Sequence, residues 1–349
     1  MAGRVVFLVM VVLAFASGWA SAAAPSVSDA TGWSLLQAPP DARRVYVSSS
    51  RGRDANSGLS PSQPVRTLAA GRALLRDGEG DWLLLKRGDV WEESLDGWAL
   101  SGRSAEAPMV ITGYGIGTER PVVRAPEGHA FSRDDRGPAE VSNLAIVGLR
   151  FEAHPSGAGA SGLWWTGGGS GLLIEDCVFS GGSNGVVIQG GERRVRDVRV
   201  RRCLVLDVGG KFGNAHGLYA WGVDGLVVEG CVFDHADPGD DPLRRHLHAG
   251  SDNTGVVVRE NIFARASGEG ALLACGGVVE SNVFAMCPRG VTLGGGAYDP
   301  LTHTLGVTGI VRGNVVMDGG EGIVAMNIRT PRSGRGALVE GNIVARASG

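Results

Sequence analysis

Val256-Val257-Val258-Arg259-Glu260-Asn261-Ile262-Phe263-Ala264 reads as two short strands with a sharp bend at Asn261. A β-branched run, an Asn and a second short apolar run leave no room for a helix. The phrase recurs along the chain. Leu172–Phe179 reads LLIEDCVF, Leu226–Phe233 reads LVVEGCVF, and Val278–Phe284 reads VVESNVF. Ile310–Met317 reads IVRGNVVM and Leu338–Ala345 reads LVEGNIVA. The bend position holds Cys177, Cys203, Cys231, Asn261, Asn282, Asn314 and Asn342, spaced 26, 28, 30, 21, 32 and 28 residues apart. A period in the twenties with uneven insertions is the signature of a solenoid.

A second beat precedes each bend. Short strands open at Gly162, Gly185, Gly217, Gly270, Gly290 and Gly322, and at His246 in one coil. Each coil then holds three short strands: this one, the strand before the bend and the strand after it. Stacked coils pair every strand with its copies above and below, about 4.8 Å apart. An inward Asn at the bend forms a ladder, each amide bonding the next.

The composition suits one large soluble domain: 349 residues, 43% hydrophobic, with 57 Gly and 15 Pro in no triplet period. Net charge is −3, and removing residues 1–23 takes away only Arg4, giving −4. That balance argues against nucleic acid, which calls for a basic face. Residues 1–23 read as a secretory signal: Arg4, the apolar run Val5–Ala16, and Ala20-Ser21-Ala22 as the cleavage site. The expectation is a secreted or periplasmic monomer with no membrane span once the signal is removed.

The domain plan is a linker over 24–44 and a solenoid over 45–349, with the N-terminal cap and first coils in 45–135 and regular coils in 136–349. Val65–Arg76 carries an apolar helical stripe, and a helix there is the expected cap on the open end. Asp54, Asn56 and Gly58 imitate a calcium loop without its closing glutamate, so they read as turn formers. His129–Glu140 reads as a polar loop. The last phrase ends in a free coil edge, which either further chain or a folded-back loop covers. Of the five cysteines, Cys177, Cys203 and Cys231 read as reduced, buried residues of the bend column, and a bridge between Cys275 and Cys287 stays open.

Alternation fixes the faces of the second-beat strands. If Leu163, Val186, Leu218, Leu247, Ala271, Val291 and Ile323 point in, one outward row is Trp164, Val187, Tyr219, His248, Leu272, Thr292 and Val324. A second outward row begins Thr166, Gln189, Trp221. Trp164, Tyr219, Trp221 and Gln189 are thus the expected substrate-binding residues, since aromatics with polar tips suit sugar rings. The alternative is that the aromatics pack under a loop.

Beside that face lies an insertion, Asp234–Arg245, rich in ionisable groups. Asp234, Asp237, Asp240 and Asp241 are the candidate cation ligands. Arg244 or Arg245 is the candidate neutraliser of a substrate carboxylate. Lys211, His216 and His248 come from flanking coils, and His248 ranks first as a base because an unperturbed imidazole titrates near neutrality. Removal of the proton beside a carboxylate needs such a base and a neutralised carboxylate together. Hydrolysis by two carboxylates and a solvated loop with no catalysis are the competing readings.

The bend ladder through Val141–Ala345 resembles the right-handed parallel β-helix of the pectate-lyase-like superfamily. Tyr46–Leu68, Asp81–Leu95 and Pro108–Gly117 are similar to the leading segment of secreted bacterial β-helix proteins. The resemblance implies an all-β fold and a secreted protein acting on polysaccharide. Pectinolytic hydrolases of this fold carry N-T-D, D-D, G-H-G and R-I-K in that order. Here Asp240-Asp241 follows His216-Gly217 and no R-I-K exists, which counts against hydrolysis. Alginate and chondroitin lyases of the fold use a Lys and an Arg on neighbouring coils with acidic calcium ligands. The resemblance gives those parts to Lys211, to Arg244 or Arg245, and to the four acids holding Ca2+. His246–Gly296 is also similar to uncharacterised secreted β-helix proteins with Gln and Arg before a Gly-Gly pair, where this chain has Leu273-Ala274-Cys275. The expected role is binding and cleaving an acidic polysaccharide by β-elimination, against a non-catalytic binding or adhesion protein.

Overall fold

The computed structural model describes residues 32–133, 140–155, 159–209, 215–236, 243–295, 306–328 and 336–346. From Gln37 on, the chain is a parallel β-solenoid built from three sheets. The first sheet has 11 strands, from Arg44–Val47 to Ala337–Glu340. The second has 10, from Val90–Trp91 to Ile343–Ala345. The third has 8, from Phe131–Arg133 to Glu321–Met326. Strands neighbouring in a sheet come from successive coils and pair in parallel, as Val257–Arg259 does with Val278–Glu280.

The bend column stands as the phrase predicts. Nδ2 of Asn261 donates to Oδ1 of Asn282, Nδ2 of Asn282 to Oδ1 of Asn314, and Nδ2 of Asn314 to Oδ1 of Asn342, each at 2.9 Å. Each Nδ2 also donates to a backbone carbonyl of the coil before: Val228, Val258, Val279 and Val311 respectively. The column continues upward, with the Cys231 amide donating to Oδ1 of Asn261 at 2.9 Å and the Cys203 amide to Sγ of Cys231 at 3.4 Å. All five cysteines are free thiols, so Cys275 and Cys287 are not bridged.

The turn itself sits one residue earlier than the sequence reading placed it. Asp176, Arg202, Glu260 and Ser281 take left-handed φ of 54°, 51°, 57° and 58°, while Gly230, Gly313 and Gly341 occupy the same position in other coils. A non-Gly residue there costs on the order of 1 kcal/mol. The amide bonds of the next residue hold it in place. Two residues after the column, phenylalanines stack along the core, Phe233 on Phe263 and Phe263 on Phe284 with centroids 4.9 Å apart.

One feature escaped the sequence reading. The last position of the strand before the bend alternates in sign through seven successive coils: Glu175, Arg201, Glu229, Arg259, Glu280, Arg312, Glu340. Arg259 reaches Glu229 at 2.5 Å and Arg312 reaches Glu280 at 2.6 Å.

The expected helical cap is corrected. Within Val65–Arg76 the helix is confined to Leu68–Ala73, a run of six residues. Its start is capped by the Thr67 hydroxyl, which accepts the Ala70 amide, and is held by two carboxylates: Asp54 accepts from the amides of Arg66 and Thr67, and Glu93 from that of Leu68. At the far end Asp81 accepts the amide of Arg76 and turns the chain. Asp54 therefore acts as a turn acceptor. The polar stretch read as a loop over His129–Glu140 also holds a strand, Phe131–Arg133, which opens the third sheet.

Candidate functional site

The third sheet has the faces that alternation predicts. Leu163, Val186, Leu218, Leu247, Ala271 and Val291 are fully buried. Register sets Trp164 beside Val187, Val187 beside Tyr219, Tyr219 beside His248, and His248 beside Leu272. Gln189 lies between Thr166 and Trp221 in the parallel row. Trp164, Tyr219, Trp221 and His248 are all part-exposed. Val187, Leu272 and Thr292 are buried although they belong to the outward row, so its exposed part is broken between Trp164 and Tyr219 and again after His248.

The centre of this face is a three-ring cluster. Tyr219 and His248 are partners in register, and their rings lie 5.2 Å apart. His216 opens the same strand as Tyr219 and stacks on it at 5.4 Å and 21°. Nδ1 of His248 is 3.4 Å from Nε2 of His216. His216 is buried, and its Nδ1 has no hydrogen-bond partner among the described residues.

Burial governs the charge of all three groups. It pushes the His248 pKa down to about 4, with the Arg245 guanidinium adding to the effect. His216 falls well below the ordinary imidazole value, through burial first, then His248 and Arg245. Burial raises the Tyr219 phenol. At neutral pH the cluster holds two neutral imidazoles and a protonated phenol. The expectation of a His248 titrating near neutrality is thereby corrected: losing water costs the imidazolium more than any described neighbour returns.

Other candidates are dispersed. Trp164 lies two coils from Tyr219, roughly 10 Å away, and stacks on His129 at 4.9 Å. Arg245 stands beside His216 in register, but its Nε donates to Glu269 at 2.7 Å, and Glu269 also meets Arg289. The Arg244 guanidinium lies against Gly209. Asp234 belongs to the second sheet, where Arg265 binds both its oxygens at 2.7 and 2.6 Å. A carboxylate so engaged does not fit a calcium ligand, and among the described residues no group of three or more His, Cys, Asp or Glu is arranged to hold a metal ion. Lys211, Asp237, Asp240 and Asp241 lie outside the described residues.

The insertion's other histidines turn inward. His246 occupies the column that glycine holds in other coils, with Nε2 2.7 Å from the Ala264 carbonyl oxygen and its ring 4.5 Å from that of His235. Both are buried, and burial takes the His246 pKa down to about 3.

Sequence reasoning missed a cleft of about 530 Å³ beside the ring cluster, where Thr166, Gln189 and Trp221 face the turn Gly190-Gly191-Glu192-Arg193. The available signal was Gln189 followed directly by a Gly-Gly turn and two charges. It names no partner until the register sets that turn beside Trp221.

A family model described as right handed beta helix region matches residues 139–305. No curated protein matches the chain in sequence. Among solved structures the chain is similar to pectate lyase Pel9A, with a TM-score of 0.60 and 17% identity over 88% of this chain and 77% of that one. It is also similar to an alginate lyase from Paenibacillus sp. str. FPU-7, with a TM-score of 0.58 and 16% identity over 77% of this chain and 90% of that one. Likeness at such identity is a likeness of fold. The chain has the fold of a right-handed parallel β-helix, and that fold is similar to the fold of the pectate lyase.

Proposed function

We propose that this protein binds an acidic polysaccharide on the outward face of the third sheet and cleaves it by β-elimination, with His248 as the base. The observation that carries this reading is the contact of buried His216 with the part-exposed Tyr219 and His248, two residues along the strand from Trp221, which lines an open cleft. The two solved structures similar in fold are a pectate lyase and an alginate lyase, which supports the substrate class.

The step balances on these residues. The lone pair on Nε2 of His248 takes the C5 proton. The C5–H electrons form the C4=C5 bond as the C4–O bond breaks. The leaving oxygen receives a proton from the Tyr219 phenol, which burial keeps protonated. The positive field comes from Arg245, which already acts on both imidazoles. No step runs through a metal. The reading of residues 1–23 as a secretory signal supports a place outside the cytoplasm, where such polymers occur.

A second reading is a binding face that does not cleave. It is favoured by the bare Nδ1 of His216. An unfilled buried acceptor is less costly than an unfilled buried donor. That difference favours Nε2–H of His216 donating to His248, which leaves His248 Nε2 protonated and able only to bind. Catalysis needs the opposite tautomer.

The test is incubation with a panel of uronic-acid polymers, read by ultraviolet absorbance of unsaturated ends. The expected result is absorbance that rises with the wild-type protein and stays flat with His248→Ala. Activity undiminished in that variant would remove His248 from the role, and binding without absorbance would leave the second reading.

A further inference from the structure

We infer that the outward face of the first sheet is a self-association surface, on which a second copy of this chain docks with its coils in reverse order. Two rows make the face. One is Val227, Val257, Val278, Ile310 and Leu338, neighbours in register through five successive coils. The other lies two residues further along each strand and is the ladder of Glu and Arg that ends at Glu340. Between the rows Val228, Val258, Val279 and Val311 are fully buried, which sets both rows on the outside.

The apolar row is covered at one end and open at the other. Register carries it back through Arg199 and Leu173 to Ala145 and Val110, and the last two are buried. From Val227 on, all five aliphatics are part-exposed. Such a row on a sheet face gains by meeting another apolar surface. The ladder beside it is paired within the chain. Arg201 reaches Glu229 at 3.0 Å, Arg259 reaches the same Glu229 at 2.5 Å, and Arg312 reaches Glu280 at 2.6 Å. Its charges cancel, so it has no net field to draw a polyanion or a polycation. It presents a pattern of alternating sign, which a surface with the same repeat matches step for step.

A second copy has that repeat. With the two-fold axis along the stacking direction, each coil faces its own copy, and wherever the ladders meet Glu opposes Glu. With the axis across the coils the order reverses, and each row still faces its like: aliphatic on aliphatic, ladder on ladder. An axis passing between the coils of Arg259 and Glu280 then joins opposite signs at every step. Arg259 meets Glu280 of the second copy, Glu229 meets its Arg312, and Arg201 meets its Glu340. In the same register Val257 meets Val278 of the second copy and Val227 meets its Ile310. The aliphatics form the centre of the contact, and the ladder is the rim that fixes register and orientation. Four residues wide and six coils long, the face covers roughly 400 Å² per copy. That is small for a permanent dimer, so the expected Kd is on the order of 10–100 μM. The monomer expected from the sequence then describes dilute solution.

The experiment is sedimentation velocity of the full chain from about 1 to about 200 μM, with circular dichroism of each variant to check its fold. Wild type is expected to pass from monomer towards dimer over that range. Val278→Asp puts a carboxylate in the aliphatic row and should weaken the dimer roughly tenfold or more. Glu280→Arg and Arg259→Glu each set like charges across the axis, and symmetry counts each change twice. Each should weaken the dimer roughly tenfold. The double variant Arg259→Glu/Glu280→Arg restores opposite signs across the axis, so its Kd should return to within about threefold of wild type. Within one chain the double variant still sets like charges side by side, so recovery assigns the effect to contact between copies. If Val278→Asp does not fold, the charge series decides alone. A wild-type protein that stays monomeric at the highest concentration would overturn the inference. A dimer that none of these changes weakens would do the same, since it forms on another surface. A double variant no tighter than either single one would overturn the reversed register.

Discussion

Oδ1 of Asn282 accepts two hydrogens from Asn261, the backbone N–H and the Nδ2–H, both at 2.9 Å. One side-chain oxygen thereby satisfies two buried donors of the preceding coil, and Asn282 repeats the relation toward Asn314. The repeat phrase specifies a fold because a bend that closes this pair in one coil also places the acceptor for the next. Replacing Asn282 by Leu removes the acceptor and strands the amide of Asn261 in the core. The expected cost is about 1–3 kcal/mol, read as a lower denaturant midpoint at unchanged slope. An unaltered midpoint would mean the ladder is dispensable.

The alternating charges beside that column lead to a second prediction. Glu280 lies in register between Arg259 and Arg312. Glu280→Lys would put three cations on successive coils, with like charges directly opposite each other. The variant should melt several degrees below wild type in dilute buffer, and added salt should close part of the gap. A gap that salt does not change would assign the loss to packing instead of charge.

These two features also mark how far the sequence could be read. Asn261, Asn282, Asn314 and Asn342 stand out because one residue type recurs at one step of a phrase, and Tyr219 and His248 follow by counting from it. The Glu and Arg ladder was equally periodic but hidden, since alternation in sign looks like variation when each coil is read alone. The helix at Leu68–Ala73 was overestimated because, besides its local cap Thr67 and the nearby Asp81, its start is held by Asp54 and Glu93, which are distant in sequence from it. Charge states were beyond reach for the same reason: the pKa of His248 depends on what surrounds it. Its neighbour Asp234 looked like part of the site by sequence proximity, yet one bend puts it in another sheet, paired with Arg265.

Acid should loosen the protein through its buried histidines. Folding lowers His246 from 6.5 to about 3 and His248 from 6.5 to about 4. The unfolded chain therefore binds more protons between those values, and stability falls as pH drops below 6.5. Each ring contributes a slope of up to about 1.4 kcal/mol per pH unit in its own window. His246→Gly restores the residue that other coils carry in that column and removes one such group. Denaturation midpoints collected from pH 7 to pH 4.5 should fall less steeply for that variant than for wild type. Parallel curves would show that the His246 ring titrates the same way folded and unfolded.

The acid limb of activity tests the proposed base directly. A base must be unprotonated, and His248 meets that condition above about pH 4. An unshifted imidazole would put the limb near 6.5. On the elimination reading, kcat/KM should therefore stay level from neutrality down to about pH 5 and fall only below it. Arg245 is one cause of the depression. Arg245→Gln removes that cation, so the limb should move upward, toward 6.5. The same change also strips Glu269 of a partner. Glu269→Gln serves as the control: it breaks the ion pair but keeps the guanidinium, so its limb should not move upward. An acid limb near 6.5 in the wild-type protein would show that the catalytic group is not the buried His248. A level profile down to pH 5 with a shift confined to Arg245→Gln would tie the proton acceptor to this ring and to the charge beside it.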